Sequence, residues 1–213
     1  MNIQTLEPGA HQASASMVLL HGLGADGRDL LPVAQALNLP EVRFILPDAP
    51  IQPVSLNNGY PMRSWFDLYG GTAPRRQDDA GLLSARAMVQ GLVEQEINRG
   101  IAPNRILLGG FSQGGALALF SGLTLNYPFA GVVGLSTWLP DVAHKPDHLP
   151  AVWLAHGLYD SILPLAASQA SYAHWPELTS NLHTWPMDHE ICAEEIEMLG
   201  TWIASRLAGQ PAT

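Results

Sequence analysis

Short apolar runs recur along the chain, separated by polar stretches rich in glycine and proline. Residues 17–20, 42–46, 106–108, 130–135, 151–156 and 182–185 each read as a short buried strand. Helical periodicity lies between them. Leu30, Val33, Ala34 and Leu37 share one face, with Asp29 placed as an N-cap and Pro32 in the first turn. Over 80–99, Leu82, Ala85, Val89, Leu92 and Val93 form a dry face and Arg86, Gln90 and Glu94 a wet one. Asp78 or Asp79 caps that helix and Arg99-Gly100 ends it. Further helices are predicted at 165–174 and 191–207, the latter turning Ile196, Leu199, Ile203 and Leu207 inward. Residues 1–15 carry weak strand character, expected as an edge hairpin. Residues 48–63 and 70–77 read as long loops. Strands alternating with helices predict an α/β fold, a mostly parallel central sheet with helices on both faces. No linker or repeat interrupts the pattern, so one domain is expected over 1–213.

One stretch carries candidate chemistry. After the apolar run 106–108 comes Gly110-Phe111-Ser112-Gln113-Gly114, then the helix-forming segment 116–120. Chance placement of the chain's 13 Ser and 20 Gly gives about 0.1 Gly-x-Ser-x-Gly patterns, so the string alone is weak evidence. Its context decides: strand, sharp turn, helix is what a nucleophile elbow requires. Side chains at Gly110 and Gly114 would collide with the neighbouring strand and helix.

A serine hydroxyl needs a base, and the base needs an orienting acid. Asp160 follows the strand at 151–156, and His189 follows the strand at 182–185. In a parallel sheet both fall at the carboxyl ends of strands, where chemistry gathers. Asp141 and Asp147 lie between strands and read as solvated. His144, His148, His174 and His183 read as surface or packing residues, and His21 and His156 as buried histidines satisfied by backbone. Two N–H donors must face a developing oxyanion. Gln113, after the nucleophile, offers one. Leu23, inside His21-Gly22-Leu23-Gly24, offers the other.

Composition narrows the rest. Hydrophobic residues make up 47% and charged residues 14%, the signature of a globular chain. A net charge of −9 without a basic cluster argues against nucleic acid and anionic membrane surfaces as partners. The one cysteine, Cys192, excludes an intrachain disulfide and reads as a small buried residue of the last helix. No metal-ligand spacing such as His-Glu-x-x-His occurs. Residues 1–16 lack a signal-peptide pattern, and 17–20 is too short to span a bilayer, so no stable membrane insertion and a cytoplasmic location are expected.

Five strings occur together: His21-Gly22-Leu23-Gly24, Ser64-Trp65-Phe66-Asp67, Gly110 to Gly115, His156-Gly157-x-x-Asp160 with Pro164, and Met187-x-His189-Glu190. In this combination the chain resembles the carboxylesterase, lysophospholipase and acyl-protein thioesterase family of α/β-hydrolases, and looks nearest to its small bacterial carboxylesterases. The resemblance covers about 18–207. It implies a triad of Ser112, Asp160 and His189, oxyanion donors at Leu23 and Gln113, no cofactor, and a small-molecule ester or thioester with an apolar acyl group. It implies that 68–72, including Leu68 and Tyr69, walls the acyl site together with Trp138, whereas Trp65 reads as packing. Some relatives dimerise, which leaves a homodimer open. Two departures stand out. The residue before the histidine is usually glycine and here is Asp188, a carboxylate expected to act electrostatically on the imidazole. Residues 70–76 do not look like the acidic loop of eukaryotic thioesterases, which argues against protein depalmitoylation.

Overall fold

The computed structural model describes residues 2–8, 12–69, 76–143, 145–146 and 148–209. Among them runs a seven-stranded sheet. Its strands are β1 (Ile3–Leu6), β2 (Ala15–Leu20), β3 (Val42–Pro47), β6 (Ile106–Phe111), β7 (Gly131–Leu135), β8 (Val152–Gly157) and β9 (Leu182–Trp185), in the order β1-β3-β2-β6-β7-β8-β9. Every neighbouring pair is parallel except β1 with β3. The sheet is covered on both faces, which is why its central strands are apolar throughout instead of alternating. Val18, Leu20 and Leu108 pack on one side with α2 (Asp79–Asn98) and α3 (Gln113–Thr124). Met17, Leu19 and Leu107 pack on the other with α1 (Leu31–Ala36) and α6 (Ala193–Ala208). The predicted dry face of α2 is buried along its length.

Four local expectations change. The N-terminal strand is an edge strand but not a hairpin with β2, because β3 lies between the two. It is fastened by an Arg43–Glu7 ion pair and by Asp48 N–H donating to the Asn2 carbonyl at 2.8 Å. Asp29 does not cap α1. Asp26 caps a preceding 3-10 turn, Gly27–Leu30, and Asp29 closes the box by accepting from Asp26 N–H at 2.9 Å. The predicted loop 48–63 folds into a ribbon, β4 (Ile51–Val54) against β5 (Tyr60–Arg63). Its turn uses Asn58 and Gly59, with φ of 53° and 77°. Pro53 opposite Pro61 hid the ribbon, and both are tolerated because a two-stranded ribbon consists only of edges. The helix expected at 165–174 stops as α4 (Leu165–Tyr172), and α5 (Pro176–Thr179) restarts at a proline in its first position. Among the described residues, no helix is long and apolar enough to cross a membrane.

Candidate active site

Strand β6 delivers Ser112 to the top of the sheet. The residue sits at φ 52°, ψ −119°, a conformation costing a non-glycine residue about 1–3 kcal/mol. Its surroundings enforce it. Ser112 N–H donates to the Leu135 carbonyl at 2.9 Å, and its own carbonyl accepts from Ala116 N–H at 3.0 Å and Thr137 Oγ1 at 2.6 Å. A Cβ on Gly110 would overlap the Gly114 backbone, and one on Gly114 would overlap the Leu20 and His21 carbonyls. Strand and helix can therefore approach closely enough for the sharp turn only with glycine at both positions.

Parallel pairing of β8 with β9 sets the two following loops side by side. Asp160 lies on the first, with its side chain fully buried, and His189 on the second, 13% exposed. Asp160 Oδ2 stands 2.7 Å from His189 Nδ1, so the imidazole donates from Nδ1 and leaves Nε2 for the cleft. Asp160 Oδ1 accepts from the N–H groups of Ile162 and Leu163 at 3.0 and 2.7 Å. The Phe111 ring packs against the imidazole, centroids 4.7 Å apart. His156 stands behind the acid. Its Nε2 donates to the Leu163 carbonyl at 2.8 Å and lies 3.2 Å from Asp160 Oδ2. Burial holds its pKa below the usual histidine value, so the ring stays neutral at neutral pH.

The loop carrying Leu23 is braced from below. His21 is fully buried and satisfied by backbone: Nδ1 donates to the Gly22 carbonyl at 2.7 Å and Nε2 accepts from Ala49 N–H at 2.9 Å. Burial also depresses its pKa. Trp65 Nε1 donates to the His21 carbonyl, and Gly24 N–H donates to the Arg63 carbonyl. Gln113 opens α3, so its backbone N–H has no intrahelical acceptor. Its buried side chain accepts from Trp65 N–H at 3.1 Å and donates to Ser64 Oγ and the Phe66 carbonyl at 2.9 and 2.7 Å.

These elements enclose a cleft of about 590 Å³. Ser112, His189, Leu23, Leu68 and Trp138 line it, as do Leu56, Ile162 and Leu163. Tyr69 is not among the described lining residues; its ring lies under the Arg76 guanidinium, 4.7 Å away. Trp65 and Phe66 are core residues, although Phe66 meets Trp138 edge-on. Residues 70–75, His144 and Asp147 lie outside the described residues. Asp141 and His174 are exposed, and His183 stacks on Trp153. Cys192 is half-buried and N-caps α6, and burial pushes its thiol pKa upward, away from a reactive thiolate.

Sequence reasoning missed the support. Asp48 accepts from Gly27 N–H at 3.0 Å and pairs with Arg63 at 3.1 Å, tying the Leu23 loop to the ribbon. Asp188 turns to the loop of the acid instead of standing free. It accepts from Ser161 N–H at 2.7 Å, and these donors hold its pKa below the usual carboxylate range. Glu195 in the first turn of α6 is fully buried, and neither carboxyl oxygen has a partner of good hydrogen-bond geometry among the described residues. Burial, only weakly countered by Cys192 N–H, pushes it up to about 8. No sequence signal marked it, because acidic residues in a first helical turn are ordinarily solvated.

The phospholipase/carboxylesterase family model matches residues 1–207. The chain is 37% identical to acyl-protein thioesterase 1 of Cryptococcus neoformans var. neoformans, covering 91% of this chain and 93% of that protein. It is 33% identical to acyl-protein thioesterase 1 of Neurospora crassa, over 95% and 91%. The crystal structure of Zea mays acyl-protein thioesterase 2 superposes with a TM-score of 0.83 at 29% identity, over 97% and 99% of the two chains. These relatives are fungal and plant thioesterases, and do not single out the small bacterial carboxylesterases within the family. With an α/β-hydrolase sheet, a serine on its strand-to-helix elbow and a family match over nearly its whole length, the chain belongs to the phospholipase/carboxylesterase family of serine hydrolases.

Proposed function

We propose that the protein cleaves carboxylic esters, including thioesters and lysophospholipids, that carry an apolar acyl group, through an acyl-enzyme on Ser112. The observation that carries this is the 2.7 Å Asp160–His189 hydrogen bond, in a cleft that His189 shares with the strained serine. His189 Nε2 takes the hydroxyl proton as Ser112 Oγ attacks the carbonyl carbon. The resulting oxyanion is met by the N–H groups of Leu23 and Gln113, each worth about 10²–10³ in rate. Collapse breaks the bond to the leaving oxygen or sulfur, which receives the proton from His189. Water then enters and gives a proton to His189 as its oxygen adds to the acyl carbon; collapse breaks the bond to Ser112 Oγ, which takes that proton back from His189, and the acid is released. Asp160 accepts from His189 Nδ1 and holds the imidazole tautomer throughout.

Leu56, Leu68, Trp138, Ile162 and Leu163 favour an aliphatic acyl chain. The names of the fungal and maize relatives favour a thioester among the substrates. Turnover of p-nitrophenyl acyl esters of increasing length, beside matched thioesters, tests the reading. kcat/KM is expected to rise with chain length until the cleft is filled. A profile that is flat or falls from the shortest ester would contradict an apolar acyl site.

A further inference from the structure

The acid and the base come from different loops, and two contacts of the peptide backbone stitch those loops together. Leu158 N–H donates to the Trp185 carbonyl at 2.8 Å, and Tyr159 N–H to the Met187 carbonyl at 3.1 Å. Both lie on the strand side of the pair that matters. Beyond them, one side chain bridges the loops. Asp188 Oδ1 accepts from Ser161 N–H at 2.7 Å, from Ser161 Oγ at 2.9 Å and from His189 N–H at 2.8 Å. Its Oδ2 lies 3.1 Å from the same Ser161 hydroxyl. Ser161 directly follows the acid and Asp188 directly precedes the base.

Resting on the hydrolase reading above, we infer that Asp188 is a positioning residue: with Ser161 it clasps the acid loop to the base loop and keeps Asp160 in register with His189. The chemistry favours a clasp over a purely electrostatic role. Asp188 and Ser161 are both exposed, so water and salt screen the charge at the imidazole. The bonds themselves are short, charge-assisted, and directed at two backbone N–H groups that cannot rotate away. The hydrogen bond from His189 Nδ1 to Asp160 must survive while the imidazole carries a positive charge and while the leaving group departs. Holding both loops at their tips serves that step and not substrate binding, because neither Asp188 nor Ser161 lines the cleft.

The test compares wild type with Asp188→Ala, Asp188→Asn, Ser161→Ala and the Asp188→Ala/Ser161→Ala double variant, using a p-nitrophenyl ester at low and high salt. Asp188→Ala is expected to lower kcat about tenfold with KM nearly unchanged, the scale of a small misplacement of a catalytic group. Asparagine keeps an acceptor oxygen for the two N–H groups and should recover most of the loss at either salt concentration. Ser161→Ala should cost less than Asp188→Ala and nothing further in the Asp188→Ala background. A second readout needs no turnover. The downfield proton resonance of His189 Nδ1–H, assigned by its loss in Asp160→Asn, should exchange faster in Asp188→Ala than in Asp188→Asn. Wild-type kcat and an unchanged resonance in Asp188→Ala would overturn the clasp. So would equal losses in alanine and asparagine that vanish at high salt, which would make the effect one of charge. A wild type without ester turnover would sink the hydrolase reading while the proton resonance still tested the clasp.

Discussion

Asp160 is the most heavily committed side chain of the site: two backbone N–H groups hold one oxygen, and His189 takes the other. An asparagine there can accept on one atom only and turns an N–H₂ toward one of these donors. Asp160→Asn is therefore expected to keep the fold and lower kcat by about 10³–10⁴, with Asp141→Asn near wild type in the same assay. Near-normal turnover in Asp160→Asn would remove it as the acid. Glu195 poses a different question at this scale. Its folded pKa of about 8 lies well above the ordinary carboxyl value of 4.5, so the folded state keeps a proton that the unfolded chain releases. The sign follows: unfolding free energy falls as pH rises from the unfolded pKa through the folded one, and is flat with respect to this group outside that window. Glu195→Gln should abolish that slope and stabilise the protein at pH 8 by a few kcal/mol. Denaturant titrations of both proteins at several pH values check it. The contrast between these two carboxylates also marks what sequence can show. The place of Asp160 was legible because it follows a strand of a parallel sheet, downstream of the elbow serine, and the structure sets it against His189. Glu195 was not, since burial without a partner leaves no pattern in the local sequence.

Among the elements, the elbow was the easiest to read, because its glycines are demanded by backbone contacts that only strand, turn and helix in succession create. Ribbon β4–β5 was the hardest. Its prolines and its Asn-Gly turn look like loop composition, and only pairing of one half with the other reveals strands. The same region supplies Ser64, Trp65 and Phe66, which are tied to α3 by three hydrogen bonds of the Gln113 side chain. Replacing that amide with leucine strands buried polar groups of the 64–66 segment. Gln113→Leu should cost about 2–4 kcal/mol in denaturant titration, more than an ordinary surface change. A loss under half a kcal/mol would show that the segment is held by packing alone.

At the scale of the molecule, alternating strands and helices announced a parallel sheet covered on both faces, and the sheet is so built. That topology places the Leu23 loop, Ser112, Asp160 and His189 at the carboxyl ends of β2, β6, β8 and β9, although they lie up to 166 residues apart in sequence. Strand order was not legible: nothing local to 1–15 says that β3 separates β1 from β2. The support between loops, Asp48 with Arg63 and Asp188 with Ser161, was hidden for the same reason, since each pair is joined only by the finished fold.

The central claim is that Ser112 is the nucleophile of a hydrolytic acyl transfer. Incubation of wild type and Ser112→Ala with a fluorophosphonate probe, followed by intact-protein and peptide mass spectrometry and by ester turnover on the same samples, tests it most directly. A single adduct on Ser112 is expected in wild type and none in the variant, with turnover lower by several orders of magnitude in a variant that melts at nearly the wild-type temperature. A folded Ser112→Ala protein that still turns over ester at a near-normal rate, or an adduct mapped to another residue, would contradict it.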